Sequence, residues 1–433
     1  MNLPLDRRDF LRTGSAAVAA VAATSLAPSL LRAARSANEK ITVGVMGLNG
    51  RGKALAGVLA AQPDVDIAYL CDVDARVIGP AAESISQGQR HAPQAVSDFR
   101  RILDDKSVDG LVVATPDHWH ALATIHACTA GKHVLVEKPC SHNVVEGQRM
   151  VAAARKYDRQ VQVDTQRRSS LSMKAMVDFL SSGGIGKVHF ARSWITSRRE
   201  NIGRATDADV PVGVDYDMWL GAAPRRPFNP NHFHYRWHWF WEYGTGELGN
   251  NGVHGLDLAR WGLGVDMPTS VVSSGAKQFF DDDQVTPDTQ VVCYEYPGLT
   301  LVWEHRTWSP FGMNDSTFGV EFHGADGLVT TDGRHWWIHR PKEPKKSGYD
   351  GDVTYEPQHQ RNWLDAIRGT AKLTADIEIG HTSTSLCHIG NVSQRVGRKL
   401  TWDAQAGRFP TADADANALL GREYRAPWTL PVV

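Results

Sequence analysis

The stretch KITVGVMGLNGRGKALAGVLA, residues 40–60, decides the fold of the N-terminal half of the chain. Apolar side chains alternate over residues 40–45 and predict a short strand. A glycine-rich turn, GLNGRG (47–52), follows it, and the apolar residues after the turn recur at helical spacing. A strand, a glycine-rich turn and a helix in this order are typical of the first unit of a dinucleotide-binding domain.

The residues of this turn have separate tasks. Gly47 permits the tight turn, and Gly52 lets the helix pack closely against the strand. Backbone N–H groups around Gly50 and Arg51, at the start of the helix, are expected to face a pyrophosphate. Asn49 occupies the position where the usual pattern has its second glycine, so the turn alone is a weak signal.

The next predicted strand strengthens the signal. DIAYLCDVD (66–74) contains Asp72, which lies 20 residues after Gly52. An acidic side chain at this distance is expected to bind the ribose hydroxyls, and its charge repels a 2′-phosphate. NAD(H) is therefore the predicted cofactor, and NADP is disfavoured. The alternative is that Asp72 only caps the next helix.

Three more buried strands are predicted at 109–117, 132–139 and 160–166, with helices at 119–130 and 142–157 between them. Alternating strands and helices with short turns predict a parallel, doubly wound sheet. Ligands of such sheets bind beyond the carboxyl ends of the strands. The residues at those ends, expected to meet in one crevice, are Thr115, Pro116, Glu137, Lys138 and Gln166.

The chain resembles the family of glucose–fructose oxidoreductase, inositol dehydrogenase and MocA (Gfo/Idh/MocA). The resemblance covers nearly everything after residue 37, and the motifs that carry it are GLNGRG, Asp72, TPDHWH (115–120), EKP (137–139) and GNNGVHGLD (249–257). It implies an α/β protein with an N-terminal Rossmann domain, residues 38–162. A C-terminal α+β domain, residues 163–433, would carry a large, mostly antiparallel sheet for substrate binding and oligomerisation. A homo-oligomer, either a dimer or a tetramer, is expected.

The resemblance also implies roles for single residues. Lys138 would point at the nicotinamide and the reacting hydroxyl, where an ammonium stabilises negative charge on the oxygen. The alternative is a surface lysine at a strand end. Glu137 and His120 would lie on the cofactor side.

A helix within 246–264 would place Asn250, His254 and Asp257 on one face, with Asn250 and Asn251 as N-cap residues. Inositol-dehydrogenase-like members usually have Asp four residues before this histidine, where this chain has Asn250. Asn250 is therefore expected to orient substrate and His254 to transfer the proton. Asp257 is a weaker substrate candidate. Alternatively, His254 is structural and bonded to Asp257.

The stretch FHYRWHWFWEYGTG, residues 233–246, is rich in aromatic side chains. Such density beside a site suits sugar recognition, but alternating aromatics on a strand also suit a core or a subunit interface. Trp241 is a weaker substrate candidate and Tyr243 a reserve proton-transfer group. Arg167 either binds substrate hydroxyls or is surface charge. The five cysteines form no CxxC pair, and no metal site is expected.

The stretch DRRDFLRTG (6–14) precedes an Ala-rich apolar stretch, 15–31. Together they predict a twin-arginine export signal over residues 1–37, with an uncleaved amphipathic tail as the alternative. The twin-arginine translocase is then the expected partner during export, and the expected location is periplasmic or otherwise exported by this route. The 47 basic and 48 acidic side chains nearly cancel, so no nucleic-acid partner is expected.

A folded protein exported with NAD(H) must recycle the cofactor in place. The first hypothesis is an oxidoreductase that acts on a secondary hydroxyl of a carbohydrate or polyol with tightly bound NAD(H). The second, implied by the resemblance to members that cleave N-acetylgalactosaminides, is an exported glycosidase that uses NAD transiently through oxidation, elimination, hydration and reduction. The third is a sugar-binding protein without activity, which the presence of Lys138 and His254 disfavours.

Overall fold

The computed structural model describes residues 40–89 and 91–433. The predicted export signal, residues 1–37, lies outside the described residues. Two sheets organise the described chain, one of six strands and one of nine. Among the helices of this part of the chain, none is both long enough and apolar enough to cross a bilayer.

The first sheet is parallel throughout, in the order β3-β2-β1-β4-β5-β6. Its strands are β1 (Ile41–Met46), β2 (Val65–Cys71), β3 (Gln94–Val96), β4 (Gly110–Val113), β5 (His133–Val136) and β6 (Val161–Val163). Its helices are α1 (Arg51–Ala60), α2 (Ala75–Ile85), α3 (Arg100–Asp104), α4 (Asp117–Thr129) and α5 (Val144–Lys156). The strand order reverses between β1 and β4, which is the switch point where doubly wound sheets bind ligands.

The second sheet has the order β14-β13-β12-β11-β7-β10-β9-β8-β15, and only β7 and β10 pair in parallel. Its strands are β7 (Val188–Thr196), β8 (Ser270–Ala276), β9 (Thr289–Tyr296), β10 (Leu299–Arg306), β11 (Phe318–Gly324), β12 (Gly327–Thr331), β13 (Trp336–His339), β14 (Lys346–Ser347) and β15 (Leu400–Thr401). The predicted fold, a Rossmann domain followed by a domain with a large, mostly antiparallel sheet, is confirmed.

Helices cover one face of the second sheet. The helices of this half are α6 (Leu171–Ser181), α7 (Tyr216–Leu220), α8 (Val253–Leu263), α9 (Glu356–Ile367), α10 (Ile377–Val396) and α11 (Ala414–Ala418). Along β10, Leu301 and Trp303 are fully buried and join one core with Leu256 of α8 and Leu386 of α10. Alternate strand residues point to this core, because successive side chains of a strand face opposite sides.

The segment between β7 and α8 has little regular structure beyond α7 and two 3₁₀ turns, Pro230–His232 and Arg236–Trp239. One alternative above placed the aromatic residues of 233–241 on a strand that forms a core; the strand is wrong, but Trp237 and Trp239 do lie in a buried aromatic core. The aromatic rings pack against each other instead, with Trp219 and Tyr243 4.8 Å apart between ring centroids. Contacts between the rings, rather than alternation along a strand, bury these side chains.

Candidate active site

A crevice of about 400 Å³ opens at the carboxyl ends of β1, β2, β4 and β5. The predicted cofactor residues that line it are Gly47, Asn49, Gly50, Arg51, Asp72, Thr115, Pro116, Glu137 and Lys138. Of the weaker substrate candidates, Asn250 lines the same crevice. The topology thus brings residues far apart in sequence to one site.

The glycine turn forms the floor of the crevice. Gly47 has φ +87°, and a Cβ there would lie 2.5 Å from the Ala114 carbonyl oxygen. A Cβ at Gly52 would lie 1.7 Å from the Gly47 carbonyl oxygen. At Gly50, with φ +126°, a Cβ would meet no atom of the described residues within 4 Å. The turn is therefore closed against the protein and open toward the crevice, as a pyrophosphate cradle requires.

Asp72 lies at the end of β2 and faces this cradle. Its carboxylate accepts hydrogen bonds from the backbone N–H groups of Leu48, at 2.6 Å, and Asp74, at 2.9 Å. Burial raises the pKa of Asp72. The N-cap of α2 is Asp74, whose side chain accepts from Arg76 N. The capping role weighed for Asp72 thus belongs to Asp74, and Asp72 remains available to ribose hydroxyls.

Arg51 makes its polar contacts away from the pyrophosphate cradle. Its guanidinium forms ion pairs with Glu137, Asp164 and Glu356. Burial opposes the charge of Arg51, but these carboxylates together raise its pKa. Burial likewise opposes ionisation of Glu137, and the neighbouring Arg51 overrides it and lowers that pKa. This cluster fixes the ends of β5 and β6 against α9.

Lys138 follows β5 and reaches across the crevice to Asn250. Its Nζ donates to the Asn250 carbonyl oxygen at 2.8 Å and to Asn250 Oδ1 at 3.2 Å. An ammonium has three N–H donors, and these two contacts leave one for a ligand. The Lys138–Pro139 peptide bond is cis. The alternative of Lys138 as a free surface side chain does not hold, because its ammonium is held on the crevice wall.

The turn that carries Asn250 is π-helical, Leu248–Gly252, and α8 begins only at Val253. The prediction of Asn250 and Asn251 as N-cap residues is therefore wrong: Gly252 precedes α8 and makes no side-chain cap. Single π-turns occur frequently at functional sites. Here the turn presents both oxygen acceptors of Asn250 to Lys138.

His254 lies one turn beyond Asn250, half-buried, and is not among the residues that border the crevice. Burial, aided by the charges of Arg167 and Lys138, lowers its pKa well below the usual value. Asp257 does not bond it, because its carboxylate accepts two hydrogen bonds from Arg168 Nε, at 2.8 and 2.9 Å, and one from Ser383 Oγ, at 2.6 Å. The alternative of His254 as a structural histidine bonded to Asp257 is therefore not what the structure shows.

Two family models match the chain. The model of the oxidoreductase family's NAD-binding Rossmann fold matches residues 41–165, and that of its C-terminal alpha/beta domain matches 190–305 and 349–430. The chain belongs to the Gfo/Idh/MocA oxidoreductase family. This Gfo/Idh/MocA protein is an enzyme, and NAD(H) is the cofactor of its first domain.

Proteins similar to this Gfo/Idh/MocA protein include a glycosyl hydrolase and two dehydrogenases. A glycosyl hydrolase family 109 protein of Saccharopolyspora erythraea is 30% identical over 217 residues, which cover 46% of this chain and 47% of that protein. The chain thus spans about half the length of this curated relative. The WlbA dehydrogenase from Bordetella pertussis, solved with NADH and UDP-GlcNAcA, is 20% identical, with a TM-score of 0.66 over 84% of this chain and 99% of that one. Levoglucosan dehydrogenase, solved with NADH and levoglucosan, is 18% identical, with a TM-score of 0.67 over the same shares.

The remaining predicted residues of this Gfo/Idh/MocA protein lie around the crevice without lining it. His120 is buried behind it, with its ring nitrogens 2.7 Å from the Pro139 carbonyl oxygen and 2.9 Å from that of Thr115. Gln166 lies on a 3₁₀ turn after β6, Gln166–Ser169. The Arg167 guanidinium lies over the Phe318 ring, 4.1 Å from its centroid.

The reserve residues of the aromatic stretch are separated from the crevice. Tyr243 is fully buried, and this burial raises the pKa of its hydroxyl. A buried phenol with a raised pKa is a poor proton acceptor at neutral pH. Trp241 lines a different cavity, together with Arg395. The structure therefore does not bring Tyr243 or Trp241 to the crevice.

Sequence reasoning missed several residues that do line the crevice. They are mainly aromatic or imidazole side chains: Phe99, Trp219, Phe233, His234, Tyr235, Trp237 and His238. Five of these seven lie within the aromatic stretch 233–246, which was singled out as a whole. The sequence did not show which of these side chains point into the crevice, because a strand and a 3₁₀ turn direct successive side chains differently.

His238 is one of two histidines among the missed residues. Its Nδ1 bonds the Tyr235 carbonyl oxygen and must therefore carry the proton, which leaves Nε2 as a bare acceptor. Burial, with smaller contributions from Lys138 and Arg199, lowers the pKa of His238 to about 3. Its ring stacks on Trp237, 3.6 Å between centroids. Of the two histidines weighed as proton acceptors, His238 is thus the one that lies on the crevice wall.

Proposed function

We propose that this protein oxidises a secondary hydroxyl of a carbohydrate or polyol and keeps its NAD(H) bound between turnovers. The observation that carries the proposal is the Lys138 ammonium, held by Asn250 beside the glycine turn with one donor left. A donor placed there meets the substrate oxygen on which negative charge develops. NAD, when bound, accepts a hydride from the carbon that carries this oxygen.

The residues of the chain divide the remaining work. The free N–H of Lys138 orients the substrate hydroxyl and stabilises the oxygen as its proton leaves. Asn250 holds the ammonium in place through two acceptors. An imidazole accepts the proton, and we assign this step to His254, which lies one helical turn beyond Asn250 but outside the crevice lining, with His238, which lines the crevice, as the competing group. The aromatic wall of Trp219, Phe233 and Trp237 suits the C–H faces of a sugar ring.

The pH profile tests the neutral imidazole. Because the folded protein lowers the pKa of His254 well below 6.5, the neutral base persists as the pH falls. We expect kcat/KM to stay level from about pH 8 down to about pH 5, the window in which an ordinary histidine would titrate. An acid limb centred near 6.5, the ordinary histidine value, would contradict this assignment.

The proposal that the cofactor stays bound is supported by the segment 213–238, which supplies part of the crevice lining and is called the cover below. The segment 213–238 is tied to the end of β2 by hydrogen bonds from Asp215 N to Val73 O, 2.8 Å, and from Ala75 N to Gly213 O, 2.9 Å. His234 Nε2 also lies 2.8 Å from Asp74 Oδ2. These contacts hold the cover beside Asp72, where the adenosine half of NAD is expected, and would slow its release.

Export and assembly are part of the same proposal. The twin-arginine signal over residues 1–37 motivates passage through the twin-arginine translocase to the periplasm, after NAD(H) has been bound in the cytoplasm. We also propose a homo-oligomer, on the family resemblance. Cell fractionation and light scattering of the purified protein test the two statements, and a cytoplasmic monomer would contradict both.

A glycosidase that uses NAD transiently is the second candidate. Two observations favour it: the family 109 glycosyl hydrolase relative, and His238 as a second candidate base, which lies on the crevice wall. Elimination of a glycosidic group requires a base for the C–H next to the oxidised carbon, in addition to the group that serves the hydroxyl. His254 and His238 together would meet that requirement.

Nitrophenyl glycosides and the corresponding free sugars separate the candidates. The oxidoreductase is expected to leave its bound cofactor reduced by a free sugar and to release no nitrophenol. His254→Ala is then expected to slow cofactor reduction by roughly 10²–10⁴-fold, whereas His238→Ala has a smaller effect. Nitrophenol release that is lost in His238→Ala, with solvent deuterium entering the sugar ring, would instead support the glycosidase.

A further inference from the structure

A second cavity, of about 360 Å³, lies apart from the crevice. Pro224 and four separate stretches line it: residues 142–143 just before α5, 241–245, part of α10, and residues 419–423 of the C-terminal tail. Among the described residues, none lines both this cavity and the crevice. Its size falls in the range of small-molecule sites.

Four polar side-chain atoms around this cavity have no hydrogen-bond partner among the described residues: Asn143 Nδ2, Asn391 Oδ1, His142 Nε2 and Arg422 Nη2. Asn143 and Asn391 are only 5% and 6% exposed. Buried polar groups are nearly always bonded, because desolvation without a partner is costly. Such atoms around one cavity are completed by a bound ligand or by ordered water.

The contacts of each residue fix what its free atom offers. Asn143 Oδ1 accepts from Glu146 N, 3.0 Å, so its NH₂ group is the free donor. Asn391 donates through Nδ2 to Thr245 O, 2.8 Å, so its Oδ1 is a free acceptor. His142 Nδ1 lies 3.4 Å from Arg422 Nη1, a donor, so Nδ1 accepts and Nε2 carries the proton. Arg422 Nη2 is thus a donor and Asn391 Oδ1 an acceptor open to a ligand, whereas the Asn143 amide also faces the Glu146 carboxylate and His142 also faces the Trp241 backbone.

The charge of the cavity also favours an anion. Arg422 contributes one guanidinium and Arg395, an exposed residue, a second, which lies over the Trp241 ring at 5.2 Å. Of the three carboxylates nearby, Glu242 is paired with Arg226, Glu423 is exposed, and the buried Glu146 faces Arg422 and accepts from the Tyr424 hydroxyl. Guanidinium and amide donors together match the acceptor oxygens of a carboxylate or phosphate.

We propose that this cavity binds a small hydroxylated oxyanion, such as a sugar acid. Its oxyanion would accept from Asn143, His142 and Arg422, and one hydroxyl would donate to Asn391 Oδ1. Its carbon chain would pack on the Trp241 ring, which the structure removes from the crevice. The site is separate from the crevice and does not depend on the reaction there.

Calorimetric titration of the NAD-loaded enzyme with gluconate tests the proposal. We expect one gluconate per chain. Asn143→Asp keeps the oxygen that caps α5 but replaces the free donor by an oxygen, and we expect it to weaken binding by roughly 10–100-fold, the range for a hydrogen bond to a charged group. The matched control is Asn201→Asp, which adds the same charge at an exposed position and keeps the acceptor for Gly203 N.

A second variant guards against misfolding at the cap. Arg395→Met removes a guanidinium that makes no hydrogen bond within the described part of the chain, and it should weaken gluconate binding by roughly tenfold. Glucitol, which lacks the carboxylate, should bind more weakly than gluconate by a similar factor. Inorganic phosphate tests the oxyanion alone and should bind less tightly, because it cannot place a carbon chain on Trp241.

Several results would overturn the proposal. Gluconate that does not bind, or binds equally to Asn143→Asp, Arg395→Met and the native protein, would show that water fills the cavity or that gluconate occupies the crevice. Equal affinity for glucitol and gluconate would show that the carboxylate does not contribute to binding. Phosphate that binds as tightly as gluconate would show that the hydroxyl and the Trp241 contact do not contribute to binding. An equal loss of gluconate affinity in Asn201→Asp would show that the effect of Asn143→Asp comes from its added charge alone.

Discussion

Replacing Lys138 by Met is expected to lower kcat by roughly 10²–10⁴-fold, the range for a positioned charge-stabilising group. The ammonium is the only cation that the structure bonds to Asn250 on the crevice wall, within the described residues. NAD content should persist, because Asp72 and the glycine turn face the other half of the cofactor. Steady-state kinetics, with the cofactor assayed after denaturation, measure both quantities.

Two further variants grade the effect. Asn250→Ala removes Oδ1 but keeps the carbonyl contact at 2.8 Å, so its loss of kcat should be about an order of magnitude smaller than that of Lys138→Met. Lys156→Met, at the exposed end of α5, should leave kcat unchanged. A Lys138→Met enzyme with the native rate, or one that has simply lost its NAD, would contradict the assigned role.

Gly52→Ala is expected to abolish NAD binding and to lower the free energy of unfolding by roughly 1–3 kcal/mol, the usual cost of overpacking. The new Cβ would lie 1.7 Å from the Gly47 carbonyl oxygen, so the turn and α1 must move apart. Gly57→Ala in the same helix is the matched control, because its Cβ meets no described atom within 4 Å. That variant should be neutral or more stable by up to about 1 kcal/mol.

Urea unfolding and NAD titration of the two glycine variants measure these effects. Equal stability and equal NAD affinity of Gly52→Ala and Gly57→Ala would show that the helix tolerates a wider approach to β1. The cradle would then not depend on the close packing described above. A loss in both variants would point to helix α1 as a whole rather than to the turn.

The Rossmann half was predictable because its signals are local. Each strand is a short apolar run that ends at a polar residue such as Asp72 or Lys138, and parallel strands place those ends at one edge. β3 was missed, since its three residues, Gln94–Val96, carry no buried pattern. Such an edge strand is fixed by pairing with β2, which a local pattern does not reveal.

The site depends on features that no local pattern carries. The π-turn at Leu248–Gly252 replaces the expected N-cap and decides that Asn250 meets Lys138. Likewise, the 3₁₀ turn at Arg236–Trp239 brings Trp237 and His238 to the crevice. In both stretches tertiary packing overrides the periodicity from which the side-chain directions were inferred.

Arg51 shows a similar limit. Its place in the glycine turn predicts that its backbone N–H faces the cofactor, but not that three carboxylates from distant parts of the chain, Glu137, Asp164 and Glu356, bind its guanidinium. The position of Arg51 in the sequence predicts that it lies on the crevice wall, but it does not predict which side chains Arg51 binds. A buried cation takes whichever carboxylates the fold brings near, because an unpaired charge there is costly.

The central claim, hydride transfer from a sugar with NAD(H) that stays bound, has one direct test. The purified enzyme, desalted and without added cofactor, is mixed with a panel of free sugars while the absorbance of reduced nicotinamide is followed. The account predicts reduction of about one cofactor per chain by an accepted sugar, stable until an acceptor carbonyl is added, with no nicotinamide in the filtrate. Reduction that appears only when NAD is supplied, and that accumulates in solution with turnover, would contradict it.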